Sequence, residues 1–170
     1  MTAQRSVGFG GMAFLVVFLG TDARAQQFVS TGRDTLRGLP GVEVLVEPLA
    51  PELEQAGLTA AALHANVEGQ LRASGIPIYA SQTENPSPAK AYLYVHVSGL
   101  SLPREGYALA VQVHLRQTLR SLVTGSAIVN AMTWDQQMVM VVLPGDSMQG
   151  VHREVQSLVD RFVEDWRAVH

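Results

Sequence analysis

Apolar and polar positions alternate along three separate stretches of this chain and recur every three or four residues along two others. Val42-Glu43-Val44-Leu45-Val46 alternates and predicts a first strand. Thr59 then caps a predicted helix through Ala73, with Leu63, Val67 and Leu71 on one face and Gly75 closing its end. Ahead of it, Pro51-Glu52-Leu53-Glu54 suits one short helical turn. Ile76-Pro77-Ile78-Tyr79 reads as a short strand, its proline placing it at an edge or a strand start. Ser81–Ala89 holds two prolines and small polar residues and reads as a loop.

Two long alternating stretches follow, Ala91–Ser101 and Tyr107–Leu119, joined by Pro103-Arg104-Glu105-Gly106. A three-residue loop Arg104–Gly106, with Gly106 in the left-handed position, would close them as a hairpin. Ser126–Trp134 is a further strand, and Met138–Leu143 either extends it or forms another. From Asp146 or Ser147 to the C-terminus, Met148, Val151, Val155, Leu158, Phe162, Trp166 and Val169 mark a long amphipathic helix. The order is therefore β-α-β-β-β-β-α. A sheet with one apolar face and two amphipathic helices predicts a two-layer α+β sandwich, mostly antiparallel, with both helices on one face.

The N-terminus changes the picture of where this domain works. One cation, Arg5, precedes the apolar run Met12–Leu19, and Ala23-Arg24-Ala25 offers small residues at both positions a signal peptidase reads. Eight apolar residues fall far short of the roughly 20 that a spanning helix needs. Residues 1–25 are thus expected to be a cleavable leader, 26–40 a loose polar arm, and 41–170 one α+β domain. Removing the leader takes Arg5, Arg24 and Asp22 with it, which moves the formal net charge from −3 to −4. No other stretch approaches transmembrane length.

Composition mostly excludes. The chain has no cysteine, so disulfides, thiolate metal sites, a thiol nucleophile and a lipid-bearing cysteine are all ruled out. Export without disulfides fits a bacterial envelope, periplasmic or secreted. Lys90 is the one lysine and no basic cluster exists, which leaves no electrostatic footprint for nucleic acid or anionic lipid.

Candidate chemistry is sparse. Gly145-Asp146-Ser147 matches the nucleophile block of GDS-type esterases and lipases. In that family the serine comes early and the partners follow as D-x-x-H. Here the motif stands near the C-terminus, and Asp165 and His170 are spaced D-x-x-x-x-H. A helix start accounts for the same three residues. His64 and Glu68 lie four apart on the first helix, which reads as a solvated pair. His152 has Gln156, not an acid, at that spacing. No H-E-x-x-H, Walker loop, G-x-G-x-x-G or G-x-S-x-G is present.

The central hairpin is more informative. Leu93, Val95 and Val97 must share the core face with Leu109, Val111, Val113 and Leu115. With Pro103 opposite Tyr107, His96 falls opposite His114, Tyr94 opposite Arg116, Tyr92 opposite Thr118, and Ser98 opposite Gln112. The outer face then carries Tyr92, Tyr94, His96, Gln112, His114 and Arg116. A solvated sheet face with ordinary cross-strand pairs would account for this ladder. A recognition surface would too, since two tyrosines beside an arginine suit a flat or extended ligand. The histidine pair would make such a surface sensitive to pH. Two histidines without a third ligand seldom hold a metal, so no metal or other cofactor is expected.

Gly41–Leu49, Pro51–Glu54 and Gly57–Thr59 resemble the start of a family of uncharacterised exported bacterial proteins. Val67–Ile76 is similar to that family's V-E-x-x-L-R-x-x-G-I helix end, and Tyr92-Leu93-Tyr94-Val95 to its Y-L-Y-V strand. The resemblance covers most of 41–169 and implies the fold and export, not an activity. The element order is also similar to the N-terminal domain of the TolB protein and to the lipopolysaccharide-assembly lipoprotein LptE. This chain departs from both in having no lipobox cysteine and no propeller. The expectation is a non-enzymatic binding or accessory domain of the bacterial envelope, partnered by another envelope protein. A periplasmic small-molecule or metal binder using the outer face is the alternative, and a hydrolase ranks last.

Overall fold

A computed structural model describes residues 32–170 apart from 103 and 105. The predicted leader and its cleavage site lie outside the described residues. The five strands are β1 (Val42–Val46), β2 (Ile78–Tyr79), β3 (Tyr92–Leu102), β4 (Gly106–Arg120) and β5 (Ala127–Val142). The α-helices are α1 (Pro51–Gln55), α2 (Ala60–Ala73) and α3 (Gln149–Arg167), and a 3₁₀ turn precedes them at Arg33–Leu36. The sheet runs β2-β1-β3-β4-β5, with β1 parallel to both β2 and β3 and the other pairings antiparallel. This is the expected α+β architecture, both long helices lying on one face of the sheet.

Each element follows from local chemistry. Thr59 Oγ1 accepts the Ala62 amide at 3.2 Å, satisfying one of the free donors at the start of α2. The face of α2 formed by Leu63, Val67 and Leu71 is wholly buried. Helix α3 starts at Gln149, slightly later than predicted, because the Ser147 hydroxyl accepts the Gln149 amide at 3.1 Å outside the helix. Its expected stripe is buried from Met148 to Trp166, together with Val159 and Val163, and Val169 at its end is partly buried. The inner layer is completed by Val42 and Val44 of β1, Leu93, Val95 and Val97 of β3, and Leu109 to Leu115 of β4. Leu36 and Leu39, within the stretch read as an arm, also pack into this core.

Met138 to Val142 belong to the same strand as Ala127 to Trp134. Two irregularities in the β4–β5 ladder, between Leu115 and Arg116 and between Gln117 and Leu119, interrupt the period of two. One strand reads as two in the sequence because the polar run Asp135-Gln136-Gln137 interrupts its apolar positions, although the pairing is regular there. The first irregularity lies beside Trp134 and turns Met132 outward, opposite Arg116. Trp134 itself points inward, where it is 1% exposed, stacks edge-on against Phe162 at 5.1 Å and donates to Asp165 at 2.9 Å. Among the described residues no helix is long and apolar enough to cross a membrane.

Candidate functional site

The β3–β4 register corrects the expected pairing by one step. Leu102 lies opposite Gly106 across a loop of three residues, 103–105. Gly106 does carry the positive φ expected of it (98°), and a Cβ there would sit 1.9 Å from the Val142 carbonyl oxygen. Apolar alternation fixes only which side chains share a face, and shifting the pairing sum by two preserves both faces. His96 therefore faces Gln112, not His114. Tyr94 faces His114, Tyr92 faces Arg116 and Ser98 faces Ala110.

All six predicted residues do lie on the outer face, and β1 adds to them. The parallel β1–β3 pairing sets Glu43 beside Tyr92 and Leu45 beside Tyr94, and Glu47 follows on the same face. The Tyr94 hydroxyl donates to Glu47 Oε2 at 2.5 Å, and His96 Nδ1 lies against the same carboxylate. Tyr94 stacks on His114, and the Arg116 guanidinium lies 5.2 Å from the Tyr94 ring centre. Tyr94 is thus the hub, touching an acid, an arginine and a histidine. Asp135 and Gln137 of β5 border the cluster opposite His114 and Gln112, and the Gln112 amide donates to Gln137 at 3.3 Å.

The charges respond to this crowding. The Tyr94 hydrogen bond to Glu47, aided by burial, pushes the phenol up to about 12. The same bond, helped by His96 and Arg116, holds the Glu47 carboxyl below its ordinary value. Burial, then the Arg116 charge, lowers His114 against the opposing pull of Asp135. Burial raises Glu43, although a backbone hydrogen bond from Gln82 opposes it. Tyr92, expected to be exposed, is only 8% so, at the end of the face where the 80–90 loop re-enters the sheet.

Polarity ends abruptly along the face. Beyond Ser98 and Gln112 it becomes aliphatic: Leu100, Val139 and Val141 are exposed, with Ala108 and Ala110 between them. Sequence reasoning missed Glu43 and Glu47 because nothing local says that β1 neighbours β3. Their outward phase in Val42–Glu47 was the available signal.

The serine motif is not assembled into a triad. Ser147 lines a cavity of about 340 Å³ with Asp146, Gln149 and Arg153. Asp165 and His170 lie at the far end of α3, roughly 27 Å away at 1.5 Å per residue. Asp165 binds Arg33 Nε and Trp134, while His170 contacts the carbonyls of Trp166 and Leu39. His64 lies 3.2 Å from the Val44 carbonyl and 4.0 Å from Glu68, which pairs instead with Arg72 at 2.9 Å. His152 meets Asn66 at 3.0 Å. Among the described residues no group of three or more His, Asp or Glu could hold a metal ion.

No family model matches the chain, and no characterised protein matches its sequence. Among solved structures the chain is similar to a minor lipoprotein from Acinetobacter baumannii. The identity is 11%, covering 72% of this chain and 86% of that one, with a TM-score of 0.30.

Proposed function

We propose that this chain is an exported, non-enzymatic binding domain of the bacterial envelope, and that the outer face of β1, β3 and β4 is its recognition surface. One observation carries the reading. Among the described residues five buried side-chain polar atoms make no hydrogen bond. Glu43 Oε2, His96 Nδ1, His114 Nδ1 and Arg116 Nε belong to this one face, His96 Nδ1 lying against the Glu47 carboxylate, and the fifth, Gln70 Oε1, is on α2. Leaving such a group unpaired costs about 1–3 kcal/mol, so a concentration of them calls for a reason beyond folding. A partner supplying acceptors to Arg116 and a donor to Glu43 would satisfy them. The aliphatic half of the face, around Leu100, Val139 and Val141, would bury the partner's apolar surface.

Another envelope protein fits this mixture of a polar ladder and an aliphatic field. The predicted leader supports the location. The test is affinity capture from a periplasmic extract, comparing the parent with a His96→Gln, Tyr94→Ala double variant of matched folding. The expected result is a saturable partner retained by the parent and depleted at least about tenfold by the variant. Identical captured sets and identical pH profiles would refute the reading.

A further inference from the structure

Beyond Thr118, whose amide donates to the Ala89 carbonyl at 2.6 Å, β4 and β5 pair only with each other. The ribbon they form ends in the loop Ser121–Ser126. Six of the ten large apolar side chains exposed among the described residues sit on it. Leu122 and Val123 at the tip are fully exposed, and Leu119, Ile128, Val129 and Met132 follow along the stem. Leu119 and Ile128 face each other on the helix side, whereas Met132 lies opposite Arg116 on the outer side. The ribbon is therefore apolar on both faces and at its end. A groove on a protein would cover one face and leave the other in water.

The tip also ties down the two ends of its own loop. Ser121 and Gly125 donate to the carbonyls of Ser126 and Ser121, at 2.8 and 2.9 Å. The amides of Thr124 and Ser126 are taken by the hydroxyls of Ser121 and Thr124, and the Arg120 guanidinium caps the Gly125 carbonyl at 2.9 Å. A loop tied in this way holds two aliphatic side chains outward, while the amides of Leu122 and Val123 themselves make no hydrogen bond within the loop, which keeps the tip at the depth of the headgroups. Charge agrees: from Gln117 to Trp134 an otherwise acidic chain contains no Asp or Glu, and Arg120 is its one cation.

We infer that this hairpin is a membrane-interface anchor. Leu122 and Val123 enter the boundary between headgroups and acyl chains of a phospholipid bilayer, and Arg120 stays at phosphate level. The free edges of the ribbon limit the depth, because their unpaired amides must stay among headgroups. The tip lies beyond the recognition face, which the ribbon adjoins at Met132 and Arg116, and substitutions at Leu122 and Val123 leave that face intact, so either can fail alone.

The absence of native cysteine makes a local test direct. Single L122C and V139C variants of the full chain are each labelled with an environment-sensitive nitrobenzoxadiazole dye. They are then mixed with vesicles of phosphatidylethanolamine and phosphatidylglycerol. Val139 is exposed on the sheet body, 77% accessible, and serves as the reference position. The expected result is a blue-shifted, at least about twofold brighter emission at 122 and none at 139. Unlabelled L122S/V123S protein should compete for vesicles at least about tenfold less well than the parent. No response at position 122 would overturn the inference. So would a response that rises with protein concentration in the absence of vesicles, which would assign the hairpin to a second copy of the chain.

Discussion

Two sets of side chains alternate along the same two strands and obey different rules. Leu93, Val95, Val97, Val111, Val113 and Leu115 are at most 4% exposed and pack beneath α2 and α3. One residue along, Tyr94, His96, Gln112, His114 and Arg116 are half-buried with no helix above them. Backbone pairing is common to both sets, so it explains neither. The inner set is what the fold requires. The outer set is under no such demand, which leaves solvation or recognition to account for its composition. Solvation alone would not select a tyrosine hub held by an acid, an arginine and a histidine.

Substitutions separate the two faces by size of effect. Phe162→Ala empties the centre of the inner layer, where Phe162 packs against Trp134 and Trp166. Denaturant unfolding should register a loss of about 3–5 kcal/mol. Next comes Gln117, 4% exposed on the inner side, whose amide donates to Thr133 Oγ1 at 2.8 Å and to the Thr35 carbonyl at 3.2 Å. Gln117→Ala should cost about 1–3 kcal/mol by stranding those acceptors. On the outer face, Tyr94→Phe removes the bond to Glu47, whose side chain is 39% exposed, and about 1 kcal/mol or less is expected. The same variant should move the Glu47 carboxyl back up toward its ordinary value, readable by NMR titration. A cost of Tyr94→Phe as large as that of Phe162→Ala would break the comparison.

The smallest effect is a slope. Burial and Arg116 lower the folded-state affinity of His114 for a proton, whereas the unfolded chain titrates near the ordinary value of 6.5. The contribution of His114 is therefore complete above that value and is lost as pH falls from it toward the depressed folded value. His114→Gln should flatten this part of the stability profile between neutral pH and mild acid. An unchanged slope would place the titration elsewhere.

Element types and the two faces were legible because periodicity states them directly. The alternation of Leu93–Val97 and Leu109–Leu115 identified the core side and, with it, the outward ladder. What the alternation could not carry was the register, since pairing Leu102 with Gly106 or Pro103 with Tyr107 leaves every side chain on the same face. Nor could it carry the neighbour of β3. Glu47 stands 47 residues from Tyr94 in sequence, and only the parallel placement of β1 brings them together. In β5 the polar run Asp135-Gln136-Gln137 hid the continuity of one strand, since Gln136 takes an inward position that alternation would give to an apolar residue. The hairpin apolarity was visible as Leu122-Val123 and Ile128-Val129, but its exposure follows from β3 ending short of it.

The central claim is that the outer face meets a partner, and site-specific photocrosslinking tests it most directly. A benzophenone side chain at Ser98, exposed on that face, is compared with one at Glu164, exposed on α3, in the full chain expressed in bacterial cells. The account predicts a dominant protein adduct from position 98, absent from position 164 and lost when His96→Gln and Tyr94→Ala are added. Equal adducts from both positions, or an adduct from 98 that survives those two substitutions, would contradict it.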